Sequence, residues 1–124
     1  MNIDTINIIA LAYLGDSIFD LYIREALINK GIVKVELLQK ASTKYVSAKG
    51  QAKILEYLID NNLLTEEELD IVKRGRNNKR SNHPKNTDII TYKLSTGFEA
   101  LLGYLYLSNN KDRLNEILNY IEVK

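Results

Sequence analysis

Apolar residues in this chain recur at intervals of three and four rather than at alternate positions, and a single proline and six glycines interrupt its 124 residues. Such spacing lines side chains up along one face of a helix, so the expectation is an all-α helical bundle. With 45% hydrophobic residues the chain can fill one core, and its length is short for two, so residues 1–124 are expected to form a single domain. A first long helix is predicted from Asn7 to Asn29, with Ala10, Leu14, Ile18, Leu21 and Leu27 near one stripe and Gly31 as its stop. Its apolar positions exceed that stripe, which fits either a fully buried central helix or one that also contacts a second copy of the chain.

A short helix around Val35 to Ala41 and a longer one from Thr43 to Asn61 should follow, the latter with Tyr45, Ala48, Ala52, Leu55 and Ile59 on its inner face. Thr65 with Glu68 three residues on has the form of a capping box. The helix it opens carries Leu69 and Val72 inward and should end at Lys73-Arg74-Gly75. Glu66, Glu67 and Glu68 are first-turn acids facing the positive end of that helix. From Gly75 to Thr87 turn formers dominate, predicting an exposed loop. Two more helices are expected, from Ile89 to Leu107 around Leu94, Phe98, Leu101 and Leu105, and from Asp112 through Leu114, Ile117, Leu118 and Ile121.

Formal net charge is only +1, but charge is segregated. Lys73, Arg74, Arg76, Lys79, Arg80 and Lys85 follow one another with no acid between, just after Glu66, Glu67, Glu68 and Asp70. A dense basic segment beside helix ends is a candidate phosphate-contacting surface, although many basic loops are simply solvated. The absence of cysteine excludes disulfides and thiolate metal sites and fits a cytoplasmic protein. The apolar stretch Ile6 to Leu14 contains Asn7 and soon meets Asp16, so no membrane segment is expected. His83 is the only histidine, which argues against a histidine-rich metal centre and against paired-histidine ribonuclease chemistry. Ser42, Ser47 and Ser81 stand in no arrangement that would make a nucleophile.

Two carboxylates sit in otherwise apolar helices. Asp16 lies in Leu14-Gly15-Asp16-Ser17-Ile18, and Glu99 in Thr96-Gly97-Phe98-Glu99-Ala100-Leu101. A solvent-facing position, a buried hydrogen bond and a metal ligand all remain open for each. Glu99 falls on the side opposite Leu94, Leu101 and Leu105, with Thr96, Gly103 and Tyr106, a face of mainly small residues with room for a hydrated cation.

The strings around these acids are more specific than the acids themselves. Leu11-Ala12-Tyr13-Leu14-Gly15-Asp16-Ser17-Ile18-Phe19 resembles the signature segment of the ribonuclease III family, and Phe98-Glu99-Ala100-Leu101-Leu102-Gly103-Tyr104-Leu105-Tyr106-Leu107 resembles the second segment of its catalytic domain. Lys73-Arg74-Gly75-Arg76-Asn77, Pro84-Lys85-Asn86-Thr87-Asp88 and Thr91-Tyr92-Lys93 are similar to the loop and helix start of the Mini-ribonuclease III branch. The resemblance spans essentially the whole chain, in order.

By position, the resemblance makes Asp16 and Glu99 the catalytic carboxylates and the ligands of magnesium, with manganese able to substitute. Two further family acids have no counterpart, since Ala12 and Thr96 occupy their places. Magnesium keeps several waters and needs few protein ligands when substrate phosphates complete its shell, so two acids suffice and affinity before RNA arrives should be low. The implied enzyme is a homodimeric endoribonuclease that hydrolyses double-stranded RNA and leaves a 5′-phosphate and a 3′-hydroxyl. Its implied substrate is precursor ribosomal RNA, matured at a terminal stem of the large-subunit (23S) species. Arg74, Arg76, Lys79, Arg80 and Lys85 are the implied RNA contacts, with Tyr92 and Lys93 as minor candidates for orienting phosphate or water. The competing expectation is a catalytically silent double-stranded RNA-binding dimer associated with ribosome assembly; a helical interaction domain without RNA leaves the basic segment without purpose.

Overall fold

The structure is a computed structural model and describes residues 2–78 and 88–124. Among the described residues it contains six α-helices, a 3-10 turn at Ile3–Thr5 and no strand. The helices are α1 (Ile8–Asn29), α2 (Val35–Val46), α3 (Ala48–Asp60), α4 (Glu66–Arg76), α5 (Ile89–Leu107) and α6 (Lys111–Asn119). None of them is long and apolar enough to cross a membrane.

The architecture is organised around α5, which packs against α1, α3, α4 and α6. Its residues from Ser95 to Leu105 are buried on nearly every side, interrupted only at Glu99 and Tyr104. Phe98 meets Phe19 of α1 edge to face, with ring centroids 5.1 Å apart and both side chains wholly inside. Leu55 and Leu58 of α3, Ile71 and Val72 of α4, and Leu114, Ile117 and Leu118 of α6 close the same core. Burying each such side chain contributes roughly 1.5–3 kcal/mol, so the core outweighs any single polar contact.

Several boundaries and faces differ from expectation. The buried face of α1 is Leu11, Ala12, Gly15, Phe19, Ile23 and Leu27, whereas Ala10 and Leu21 are exposed and Leu14 and Ile18 half-buried. Both stripes are apolar, and of the five residues expected along one of them only Leu27 is wholly buried. The second helix does not stop at Ala41 but continues to Val46, and the break falls at Ser47, whose Oγ accepts from the Gly50 N–H and so caps α3. Leu58 rather than Ile59 is the inward residue near the end of α3. Gly75 does not end α4 but lies buried inside it, against Gly97 and Ala100 of α5. Gly31, with φ +98°, does stop α1, as a residue free to adopt the left-handed region should.

The Thr65–Glu68 capping box is present in both directions. Glu68 also has a second role that the local pattern does not reveal. Its buried carboxylate forms a two-pronged ion pair with Arg113 of α6, at 2.7 and 2.8 Å, and the same guanidinium donates to the Leu63 carbonyl at 2.7 Å.

Candidate active site

Asp16 and Glu99 come together because α1 and α5 cross at backbone contact. A methyl group built on Gly15 would lie 1.7 Å from the Glu99 carbonyl oxygen, and one on Gly103 would lie 2.0 Å from that of Leu11. No side chain other than hydrogen fits at either place. Each contact pairs a glycine of one helix with backbone of the other, so the two antiparallel helices are locked in register. Asp16, next to Gly15, is thereby set beside Glu99. The small-residue face of α5 is therefore not open space: Gly103 and Thr96 are buried, with α1 backbone filling the space at Gly103, and of the two carboxylates Asp16 is the exposed one.

The electrostatics of this pair are one-sided. Burial, and then the Asp16 carboxyl beside it, push the Glu99 carboxyl up to about 8, and the hydrogen bond from Gln51 acts in the opposite direction. Gln51 Nε2 donates to Glu99 Oε2 at 3.2 Å and to the Val46 carbonyl at 3.2 Å. Two carboxyl groups facing each other favour the arrival of positive charge. No third His, Cys, Asp or Glu joins them in a metal-binding group among the described residues. The donor set thus fits a hard, oxygen-seeking cation that keeps most of its waters, as magnesium does, and does not fit zinc or a soft metal.

Other predicted residues fall as follows. Ala12 is buried and cannot replace an acid; Thr96 is buried too, with its hydroxyl donating to the Tyr92 carbonyl at 3.0 Å, committed to its own helix. Arg74 and Arg76 are exposed on the last turns of α4, which the Gly75 contact holds one residue from Glu99 along α5. Lys93 is half-buried in α5. Lys79, Arg80 and Lys85, with His83 and Ser81, lie outside the described residues. Ser42 and Ser47 serve local backbone bonds, on Gln39 and Gly50. The residue with no forewarning is Gln51, because a polar side chain on an otherwise apolar helix face reads as tolerance until its partner on another helix is seen.

A six-helix domain with two carboxylates held at a glycine-locked helix crossing defines a class, and comparison agrees with it: residues 9–110 match the Ribonuclease III domain family. The chain belongs to the ribonuclease III family and is an endoribonuclease. Within that family it is similar to the Mini-ribonuclease 3 proteins of Streptococcus pneumoniae, at 44% identity over 97% of this chain and 94% of that one, and of Enterococcus faecalis, at 46% over 93% and 87%. The Mini-ribonuclease 3 of Staphylococcus aureus is 46% identical over 97% and 90%. A crystal structure of a Fusobacterium nucleatum protein superposes with a TM-score of 0.81 at 32% identity, covering 94% of this chain and 91% of that one.

Proposed function

We propose that this endoribonuclease hydrolyses double-stranded RNA as a magnesium-dependent homodimer, with Asp16 and Glu99 as its catalytic carboxylates and metal ligands. The observation that carries the reading is the Asp16–Glu99 pair itself, brought together across 83 positions of sequence by the Gly15 and Gly103 contacts. Magnesium, when bound, supplies acidification of a water and neutralisation of charge on the phosphate, with manganese as a substitute. The chain's own part is to hold two oxygen ligands rigidly. Asp16 stands at the exposed edge where a phosphate can approach, and Glu99 is fixed deeper, by Gln51. In-line attack of water on the phosphodiester then leaves a 5′-phosphate and a 3′-hydroxyl, and no side chain is needed as nucleophile.

Arg74 and Arg76 on the exposed side of α4 are the proposed phosphate contacts within the described residues, and Lys79, Arg80 and Lys85 continue the basic run in sequence. An A-form duplex hides its base edges in a deep, narrow groove, so contacts of this kind select by shape and backbone. The partner in the dimer is proposed to cover the exposed stripe of α1, where Leu21 is 67% exposed and Tyr13 82%. Large apolar side chains left open along one helix favour coverage by another surface. The proposed substrate is precursor 23S ribosomal RNA in the cytoplasm, by likeness to the Mini branch.

The test is cleavage of a labelled RNA duplex with magnesium by the wild type, Asp16→Asn and Glu99→Gln, after circular dichroism and sedimentation have established that all three fold and associate alike. Duplex cleavage abolished by chelator and by either substitution, with single-stranded RNA left intact, is expected. Tight duplex binding by a wild type that cuts under no magnesium or manganese condition would instead make the protein a silent binding dimer.

A further inference from the structure

Gln51 is only 1% exposed, on a helix whose further buried side chains are Ala52, Leu55 and Leu58. Burying a carboxamide there costs about 1–3 kcal/mol unless its groups are bonded, a cost that leucine would avoid. Its orientation is not arbitrary. The Val46 carbonyl can only accept, so the NH2 group must face it, with Glu99 Oε2 on the same side, and the carbonyl must face elsewhere. That carbonyl, Oε1, is among the described residues the only buried side-chain nitrogen or oxygen without a partner.

Its position is bounded by covalent geometry. The C=O and C–N bonds of an amide place its two heteroatoms at most about 2.6 Å apart, so Oε1 lies within roughly 6 Å of Glu99 Oε2. That span can be bridged by a single water between Oε1 and a cation at Glu99, with Oε1, closed to solvent in this structure, opening to the water on binding. Magnesium held by two carboxylates keeps several waters, each with two hydrogens that need acceptors.

We propose that Gln51 is a positioning residue of the cation site: its NH2 group holds Glu99, and its carbonyl accepts a hydrogen bond from a water in the hydration shell of the bound cation. This rests on the reading of Asp16 and Glu99 as metal ligands. A neutral amide suits the place better than an acid, since a third carboxylate would add to the repulsion already present. Partners of this outer kind orient the inner ligands, and their loss typically lowers metal affinity about 10- to 100-fold.

The experiment measures Mn2+ binding to the RNA-free protein by water-proton relaxation, with thermal unfolding of the cation-free protein alongside. Wild type, Gln51→Leu, Gln51→Met and the Asp16→Asn, Glu99→Gln pair are compared, the methionine variant standing in should leucine fail to fold. Affinity at least about tenfold weaker is expected in a Gln51 variant whose cooperative unfolding shows that it still folds. Duplex cleavage by that variant should return when Mn2+ is raised. Unchanged Mn2+ affinity, whatever the midpoint, would reduce Gln51 to a packing residue. Wild-type binding that is indifferent to Asp16→Asn and Glu99→Gln would overturn the metal-site reading itself and this inference with it, a result distinct from failure at Gln51 alone.

Discussion

At the scale of single residues, Glu68 shows how much a side chain can carry beyond its local pattern. Its place in the first turn of α4 and its bond to Thr65 are visible in the spacing Thr65-Glu66-Glu67-Glu68, and both hold. The ion pair with Arg113 bridges 45 positions, and no periodicity reports a partner that far away. Burial raises the Glu68 carboxyl, but the Arg113 and Thr65 bonds together outweigh it and leave the group below its usual value near 4.5. A carboxyl lowered in the folded state stabilises the fold above the unfolded value and loses that contribution as pH falls through the folded value. The urea midpoint should therefore drop as pH is taken below about 4.5. In Glu68→Gln that drop should be shallower, and an equal acid slope in the variant would remove the pair from the account. Arg113→Leu at neutral pH leaves the Glu68 charge buried without its partner and should cost about 3 kcal/mol, read from the same urea titration. Gln51 went unread for the same reason as Arg113: its meaning lies in Glu99, 48 positions away.

At the scale of elements, period and capping located the helices well, and α5 runs from Ile89 to Leu107 as its apolar spacing predicts. Faces were harder to read where a helix has more than one apolar stripe. On α1 the stripe Ala10, Leu14, Ile18, Leu21 is as apolar as Leu11, Gly15, Phe19, Ile23, and composition alone does not choose between them. Gly15 does choose, because only the face that carries it can approach α5 closely enough to meet the Glu99 backbone. In an isolated helix Gly15→Ala should gain up to about 1 kcal/mol from propensity. In the folded protein the added methyl meets backbone rather than a flexible side chain, and overpacking of this kind costs about 1–3 kcal/mol or more. Packing therefore outweighs propensity, and Gly15→Ala should unfold at a lower temperature than the wild type. Its folded fraction should also lose duplex cleavage, since separating α1 from α5 separates Asp16 from Glu99. A variant more stable than the wild type and fully active would mean that the two helices need not touch there.

At the scale of the whole molecule, a net charge of +1 conceals the charge asymmetry on which the proposed duplex binding rests. Arg74 and Arg76 stand exposed at the end of α4, and Gly75 between them is pressed against Gly97 and Ala100 on α5, the helix that bears Glu99. The α4–α5 contact thus sets the backbone that carries the two cations relative to the carboxylate that the α1–α5 contact positions. If each guanidinium takes the place of counterions at one phosphate, each accounts for roughly 0.9 of the slope of log affinity against log salt. Duplex affinity, measured in calcium to prevent cleavage, should fall steeply with salt for the wild type. For the Arg74→Ala, Arg76→Ala double variant the slope should be shallower by about 2. The loss should be the same for duplexes of different sequence, because phosphates carry no base identity. A slope unchanged in the double variant would move the binding surface away from α4, and a loss confined to particular sequences would mean that these arginines read bases rather than backbone.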